Sequence, residues 1–196
     1  MKSKLKNDNI KLVLSFVFLI YLFGFLKERY FFYYPTIPLY PDNYEEINIV
    51  KQFIDKNDNY FINLFKKTDV NPCYAFQDII PNNCKKLNNI IQKPHIIFTI
   101  FFLKLFFNRA RPYQINDKLN IKKSLTANTP AFPSGHCIQS LYLANVLSLE
   151  FPEKKEDLIN LAKNIALSRV YAGLHYPSDN EFGEKIANIL FIFYNL

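Results

Sequence analysis

The strongest constraint on the fold is the way apolar residues recur. From about residue 45 onward they repeat at helical spacing between prolines and polar breaks, and no apolar–polar alternation of period two occurs. A chain patterned in this way buries its core by packing helix on helix, so the expected fold is all-α. Helical patterns fall at about 45–56 and 58–67, followed by a loop containing "NPC" and "IIPNNC". The stretch "KKLNNIIQKPHIIFTIFFLKLFFNRARP" reads as helix, broken near Pro94 and stopping at Pro112. Residues 113–133 lack periodicity and are expected to be loop. A helix over 136–150, a polar turn at "FPEKKED", an amphipathic helix over 156–172 and a last helix in "SDNEFGEKIANILFIFYNL" complete the pattern. At 196 residues the chain is long enough for one domain with a substantial core, and nothing suggests a second.

Residues 12–26, "LVLSFVFLIYLFGFL", form an uncharged run preceded by Lys2, Lys4, Lys6 and Lys11. Fifteen residues fall short of the roughly 17–25 a spanning helix needs, but snorkelling side chains and the aromatics through Tyr34 would extend the run. No small-x-small cleavage site follows, so an uncleaved signal anchor over 1–30 is expected rather than a cleaved signal peptide. The lysines place the N-terminus in the cytosol and the remainder on the far side of the membrane. Secretion or periplasmic release after cleavage is the alternative. Residues 31–44, "FFYYPTIPLYPDNY", read as an extended linker, so 31–57 is taken as linker plus first helix and 58–196 as a helical bundle tethered to the membrane.

The three cysteines, Cys73, Cys84 and Cys137, do not make a metal site: there is no CxxC and no spaced histidine partner. On the far side of a membrane Cys73 and Cys84 could close a small loop as a disulfide, with Cys137 left as a buried apolar residue. The formal charge of +7 allows nucleic acid, anionic lipid or an anionic small substrate as partner. A nucleic-acid surface needs a basic stripe interleaved with exposed aromatics. Here the informative cations sit at helix ends and inside apolar runs, beside histidines, so nucleic acid is not the expected partner.

Three clusters carry the chemistry. Lys104 lies inside "FFLKLFFNRARPY", with Arg111 seven residues on, two turns along the same helical face. Pro112 biases Arg111 out of the α region and frees its guanidinium to reach a cleft. In "AFPSGHCIQS", Pro133 fixes a turn, Ser134 is a natural N-cap, Gly135 lets a ligand approach the backbone and His136 falls in the first helical turn. A helix N-terminus offers free amides and partial positive charge, hence an anion cradle with a proton donor beside it. In "SRVYAGLHYPSDN", Ser168 and Arg169 precede His175 and Asp179. A carboxylate beside an imidazole holds its tautomer and makes it a nucleophile or base. Pro177 leaves open whether the pair forms on a helix or across a turn. Together, Lys104, Arg111, Arg169 and the amides near Ser134 and Gly135 would surround a tetrahedral oxyanion, with His175 attacking and His136 protonating the leaving group. Nothing in the set calls for a metal or cofactor.

"KLFFNRARP" (104–112), "PSGH" (133–136) and "SRVYAGLHYPSD" (168–179) resemble, at every fixed position and spacing, the three-part signature of the type 2 phosphatidic acid phosphatase superfamily. That superfamily includes class A acid phosphatases, lipid phosphate phosphatases and vanadium-dependent haloperoxidases. The resemblance implies a helical bundle of that type and a phosphohistidine mechanism. In it His175 is the nucleophile, His136 the general acid and Asp179 the orienting carboxylate, while Lys104, Arg111, Ser134, Gly135 and Arg169 bind phosphate. Only 31 residues separate His136 from Ser168, too few for a pair of spanning helices, so the layout is closest to the compact acid phosphatases acting on small phosphomonoesters. A lipid phosphate substrate at the membrane is the leading alternative, and a haloperoxidase holding vanadate a third. Arg109 falls outside the pattern and is expected at the surface, and His95 is expected to be an ordinary histidine.

Overall fold

The computed structural model describes residues 40–80 and 83–195. The expected anchor over 1–30 and most of the linker over 31–44 lie outside the described residues. All regular structure among the described residues is helical: α1 (Asn43–Lys56), α2 (Asn59–Thr68), α3 (Cys73–Phe76), α4 (Cys84–Ile91), α5 (Pro94–Phe107), α6 (Pro112–Ile115), α7 (Gly135–Glu150), a 3-10 turn (Pro152–Lys154), α8 (Lys155–Tyr171) and α9 (Pro177–Asn195).

Short polar side chains set the starts. Asp42, Asp58 and Asn83 accept from the amides of Tyr44, Tyr60 and Lys85 at 2.7–2.8 Å, and Pro94 opens α5 where a missing N–H costs nothing. Two asparagines set the ends: Asn57 and Asn108 take left-handed backbone (φ 44° and 45°), which Asn tolerates better than most side chains. Asn108 revises the expected boundary, because α5 stops at Phe107 and not at Pro112. Lys104 and Arg111 therefore do not share a helical face. Arg111 stands in extended backbone (φ −75°, ψ 157°) before Pro112, as the proline bias predicts, and the short α6 runs from Pro112 into the stretch 113–133 expected to be loop.

Helix α7 is the spine, running along α8 and α9, with α3 and α4 closing one end of the core around Phe76, Ile80, Leu87, Leu141, Leu147 and Ile165. The first half of α8 is amphipathic as expected. Its last turn, Ser168 to Tyr171, is buried on every side beneath α1 and α2. Where α9 crosses α7, a Cβ at Gly183 would come within 3.1 Å of Cys137 Sγ and 3.2 Å of the Ser134 carbonyl, so a glycine permits the approach. Cys73 and Cys84 are joined as a disulfide with Cα atoms 5.5 Å apart, and Cys137 is free and buried. Among the described residues no single helix is long and apolar enough to cross a membrane. Only Cys84–Ile91 with Pro94–Ile115, bent by 56°, reaches that length and composition together.

Candidate active site

The three clusters meet at one cavity of about 430 Å³. Lys104 reaches it from α5, Arg111 from the extended stretch after α5, Gly135 and His136 from the first turn of α7, Arg169 from the end of α8 and His175 from the α8–α9 connection. Ser134 and Asp179 stand one layer behind the wall. Ser134 is buried and caps α7, accepting from the Cys137 amide at 3.4 Å, while its own amide donates to the Asp179 carbonyl at 3.0 Å. A Cβ at Gly135 would meet Ile100 and Lys104 at ordinary contact distance, 3.4 and 3.7 Å. Packing alone does not demand glycine there; the bare backbone matters on the cavity side.

A tight turn aims His175. Gly173 has φ 75°, and a Cβ there would fall 2.7 Å from Ile121 Cγ2 and 2.9 Å from Ile54 Cδ1, so glycine is required on both counts. Asp179 lies in the first turn of α9, which begins at Pro177, and its Oδ2 accepts from His175 Nδ1 at 2.9 Å and from the Tyr176 amide at 3.0 Å. The pair thus forms across a helix start. On the other ring nitrogen, Arg111 Nη1 lies 3.3 Å from Nε2. A guanidinium only donates, so Nε2 presents its lone pair and the proton sits on Nδ1. Burial first, then the charges of Arg111 and Lys104, hold His175 well below the ordinary imidazole value, so the ring is neutral.

His136 has the complementary arrangement. Its Nε2 lies 3.1 and 3.0 Å from the carbonyls of Thr68 and Asp69 at the C-terminal end of α2. Those oxygens only accept, so Nε2 keeps its proton and Nδ1 is the atom that gains or gives one. Burial and the Arg169 charge push this half-buried ring down to about 3, against the pull of the two carbonyls. An incoming phosphate dianion opposes that charge and favours the protonated ring.

The cations are held by protein oxygens that leave donors to spare. Lys104 Nζ, on a 5% exposed residue, donates to the Pro130 and Ala131 carbonyls at 2.5 and 3.3 Å. Arg111 donates from Nε to the Thr129 carbonyl and from Nη1 to the Leu174 carbonyl, both at 2.8 Å. Arg169 pairs with Asp69 at 2.7 Å and reaches the hydroxyls of Ser124 and Thr126 at 3.2 and 3.3 Å, while its buried Nε has no protein partner. Burial lowers Arg169 to about 10, which leaves it charged at neutral pH. Among the described residues no three His, Cys, Asp or Glu side chains gather as a metal site.

Arg109 corrects an expectation. It is 1% exposed, not at the surface, because α5 ends two residues earlier and the extended chain turns its side chain inward. It ion-pairs with Glu46 at 2.6 Å and Asp179 at 2.7 Å, between the rings of Tyr40 and Tyr176 at 4.3 and 3.8 Å. Asp69, Ser124 and Thr126 carry no mark in the sequence. Asp69 ends α2, and the two hydroxyls lie in an aperiodic loop, where no spacing marks a residue. For Arg109 a signal existed: a second charge in the same apolar run as Lys104.

The profile described as the PAP2 superfamily matches residues 95–195, just over half of the chain and all three clusters. Over 91 residues the chain is 29% identical to a non-specific acid phosphatase of Salmonella typhi, covering 45% of this chain and 36% of that protein. A non-specific acid phosphatase of Salmonella typhimurium gives 28% over 91 residues, with the same coverage of 45% and 36%. The matched stretch therefore spans about a third of the length of these relatives. With the family match running over just over half of the chain, through all the clusters that meet at the cavity, the chain belongs to the PAP2 superfamily.

Proposed function

We propose that the chain hydrolyses phosphomonoesters through a phosphohistidine on His175. The observation carrying this reading is the His175 ring itself: Nδ1 faces Asp179 at 2.9 Å, and Nε2, turned to the cavity, accepts from Arg111. In the first step Nε2 forms the N–P bond, the P–O bond to the leaving group breaks, and His136 Nδ1 gives that oxygen its proton. In the second, His136 takes a proton from water, the resulting oxygen attacks phosphorus and the N–P bond breaks, releasing inorganic phosphate. Lys104, Arg111, Arg169 and the α7 amides match the charge on the equatorial oxygens throughout. Similarity to two acid phosphatases supports a small ester as substrate. The test is p-nitrophenyl phosphate hydrolysis by the full chain with alkaline-quench trapping of a phosphoenzyme. Turnover with no alkali-stable phosphohistidine overturns the covalent step.

A second reading, lipid phosphates at a membrane, is favoured by one surface. Phe98, Phe102 and Phe106 form an exposed ridge at i, i+4, i+8 on α5 (62, 55 and 45% exposed). Covering each would be worth about 1.5–3 kcal/mol at most. Ile97 and Phe101 of the same helix line the cavity, as do Leu125 and Val70, which are 82% and 61% exposed. On this reading residues 12–26 anchor the chain and the catalytic domain lies on the non-cytosolic side. Activity on phosphatidic acid vesicles that collapses in the Phe98→Ser/Phe102→Ser/Phe106→Ser variant, while p-nitrophenyl phosphate hydrolysis persists, supports it. Equal activity of both proteins on vesicles argues against it.

A further inference from the structure

Arg109 spends every donor away from the cavity. Its Nε donates to Asn43 Oδ1 at 2.8 Å, Nη1 to Ser178 Oγ and Asp179 Oδ1 at 2.7 Å each, and Nη2 to Glu46 Oε2 at 2.6 Å and the Pro41 carbonyl at 3.3 Å. It does not line the cavity, so it is not a fourth phosphate ligand. Glu46 in turn accepts from the Ser178 amide and hydroxyl at 3.1 and 2.5 Å, which fastens α1 to the first turn of α9, the turn that carries Asp179. A chain of contacts thus runs Glu46–Arg109–Asp179–His175, entirely buried.

We infer that Arg109 is a positioning residue that keeps the shared proton on His175 Nδ1 rather than on Asp179, and that Glu46 sets how much of its charge Asp179 receives. The inference rests on the phosphohistidine reading only for its kinetic consequences. Asp179 is fully buried, and burial of a carboxylate favours its neutral form. A neutral Asp179 would place its proton between the two groups and push the ring toward the Nε2–H tautomer, which has no lone pair for phosphorus. Besides Arg109, the groups facing Asp179 are His175 and Tyr176 before α9, Lys104 from α5, and Glu46 and Tyr40 from the N-terminal side. Lys104 is an alternative source of positive charge, but it is bonded to the Pro130 and Ala131 carbonyls, whereas Arg109 touches the carboxylate. The rings of Tyr40 and Tyr176 pack 4.3 and 3.8 Å from the guanidinium carbon, which helps hold the fork in that orientation.

The experiment compares the full-length protein with Arg109→Gln, Arg109→Lys and Glu46→Gln. The readouts are the tautomer of His175 from ¹⁵N imidazole NMR, and kcat and KM for p-nitrophenyl phosphate against pH. With three histidines in the chain, His175→Ala assigns the signal. For Arg109→Gln the Nδ1–H form gives way in part to Nε2–H. In the same variant kcat falls on the order of 10- to 100-fold, below the ~10⁴-fold cost of a wrong tautomer in a serine-protease triad. KM stays within about 2-fold, as uniform binding is untouched, and the acid limb of the profile moves to higher pH. Arg109→Lys recovers part of kcat. Glu46→Gln moves the acid limb to lower pH, because a negative charge beside the Arg109–Asp179 pair has gone. A purely structural role predicts loss of active protein with both limbs unmoved. An unchanged tautomer in Arg109→Gln, limbs moving in the same direction in the two variants, or a rise in KM alone would each overturn the assignment. Absence of turnover in the unaltered protein counts against the phosphatase reading alone, since the ring signal tests Arg109 without it.

Discussion

Asp69 touches Arg169 with its side chain and His136 with its backbone: Oδ1 is 2.7 Å from Arg169 Nη1, and its carbonyl oxygen is 3.0 Å from His136 Nε2. One residue at the end of α2 thus aligns a cavity-lining cation and the proposed acid. Asp69→Asn keeps the carbonyl and removes the charge. The expected result is a rise in KM for p-nitrophenyl phosphate of about 10-fold, the scale of one charged hydrogen bond of ~1.5 kcal/mol. The leaving-group dependence of kcat is unchanged, since the bond to His136 remains. A variant with normal KM would separate Asp69 from phosphate binding.

The same pair makes stability depend on pH. Burial raises the Asp69 carboxyl, but the Ser124 hydroxyl, the Leu125 amide and Arg169 outweigh it and hold the folded value below 3.8. A depressed carboxylate contributes stability that is complete above its unfolded value and is lost as pH falls through the folded one. The Tm gap between the unaltered protein and Asp69→Asn is therefore constant from neutral pH down to about 5 and shrinks below about 4. A gap that widens on acidification would reverse the sign.

Much of this was legible beforehand, and for identifiable reasons. Helix starts followed local chemistry, such as Ser134 capping α7 and Pro112 holding Arg111 extended, and local chemistry is written in adjacent letters. His175 and Asp179 are four residues apart, so their meeting could be expected with either a turn or a helix between them. The Glu46–Arg109 pair spans 63 residues and depends on how α1 lies against the extended stretch after α5, a tertiary fact with no sequence period. Helical spacing of apolar residues continues to Ala110 in the letters, whereas the asparagine at 108 turns left-handed and ends α5 at Phe107.

Gly173 should be the least replaceable of the three glycines among the described residues. Gly173→Ala must hold φ 75° with a Cβ less than 3 Å from Ile54 and Ile121. The expected loss is at least ~1–2 kcal/mol from the backbone alone, visible as a Tm drop of several degrees, with kcat reduced because the same turn aims His175. Gly135→Ala, by contrast, meets ordinary contacts and should keep its Tm while KM rises. Similar Tm losses in both would contradict the contrast.

In the proposed mechanism charge stabilisation falls to the cavity-lining Lys104, Arg111 and Arg169, so hydrolysis is expected to persist in excess EDTA. Vanadate, which adopts the trigonal bipyramid of phosphoryl transfer, should inhibit competitively, and less well once Arg169 is replaced by Ala. Loss of activity on chelation, restored by a divalent cation, would require a different mechanism.

His136 offers the sharpest separation of roles. Removing a general acid penalises substrates in proportion to how much their leaving oxygen needs a proton. His136→Ala should therefore lose roughly 10²–10⁴-fold on an alkyl phosphate and far less on p-nitrophenyl phosphate, whereas His175→Ala, which removes the attacking atom, silences both. The pH profile gives a second measure. In the empty site burial and Arg169 hold His136 at about 3, and a bound phosphate dianion shifts it upward by adding negative charge beside the ring. Because kcat/KM reports the free protein and kcat the complex, the basic limb of kcat, where the acid is lost, must lie at higher pH than that of kcat/KM for the alkyl ester. Coincident limbs, together with equal losses on both esters in His136→Ala, would remove His136 from the proton path.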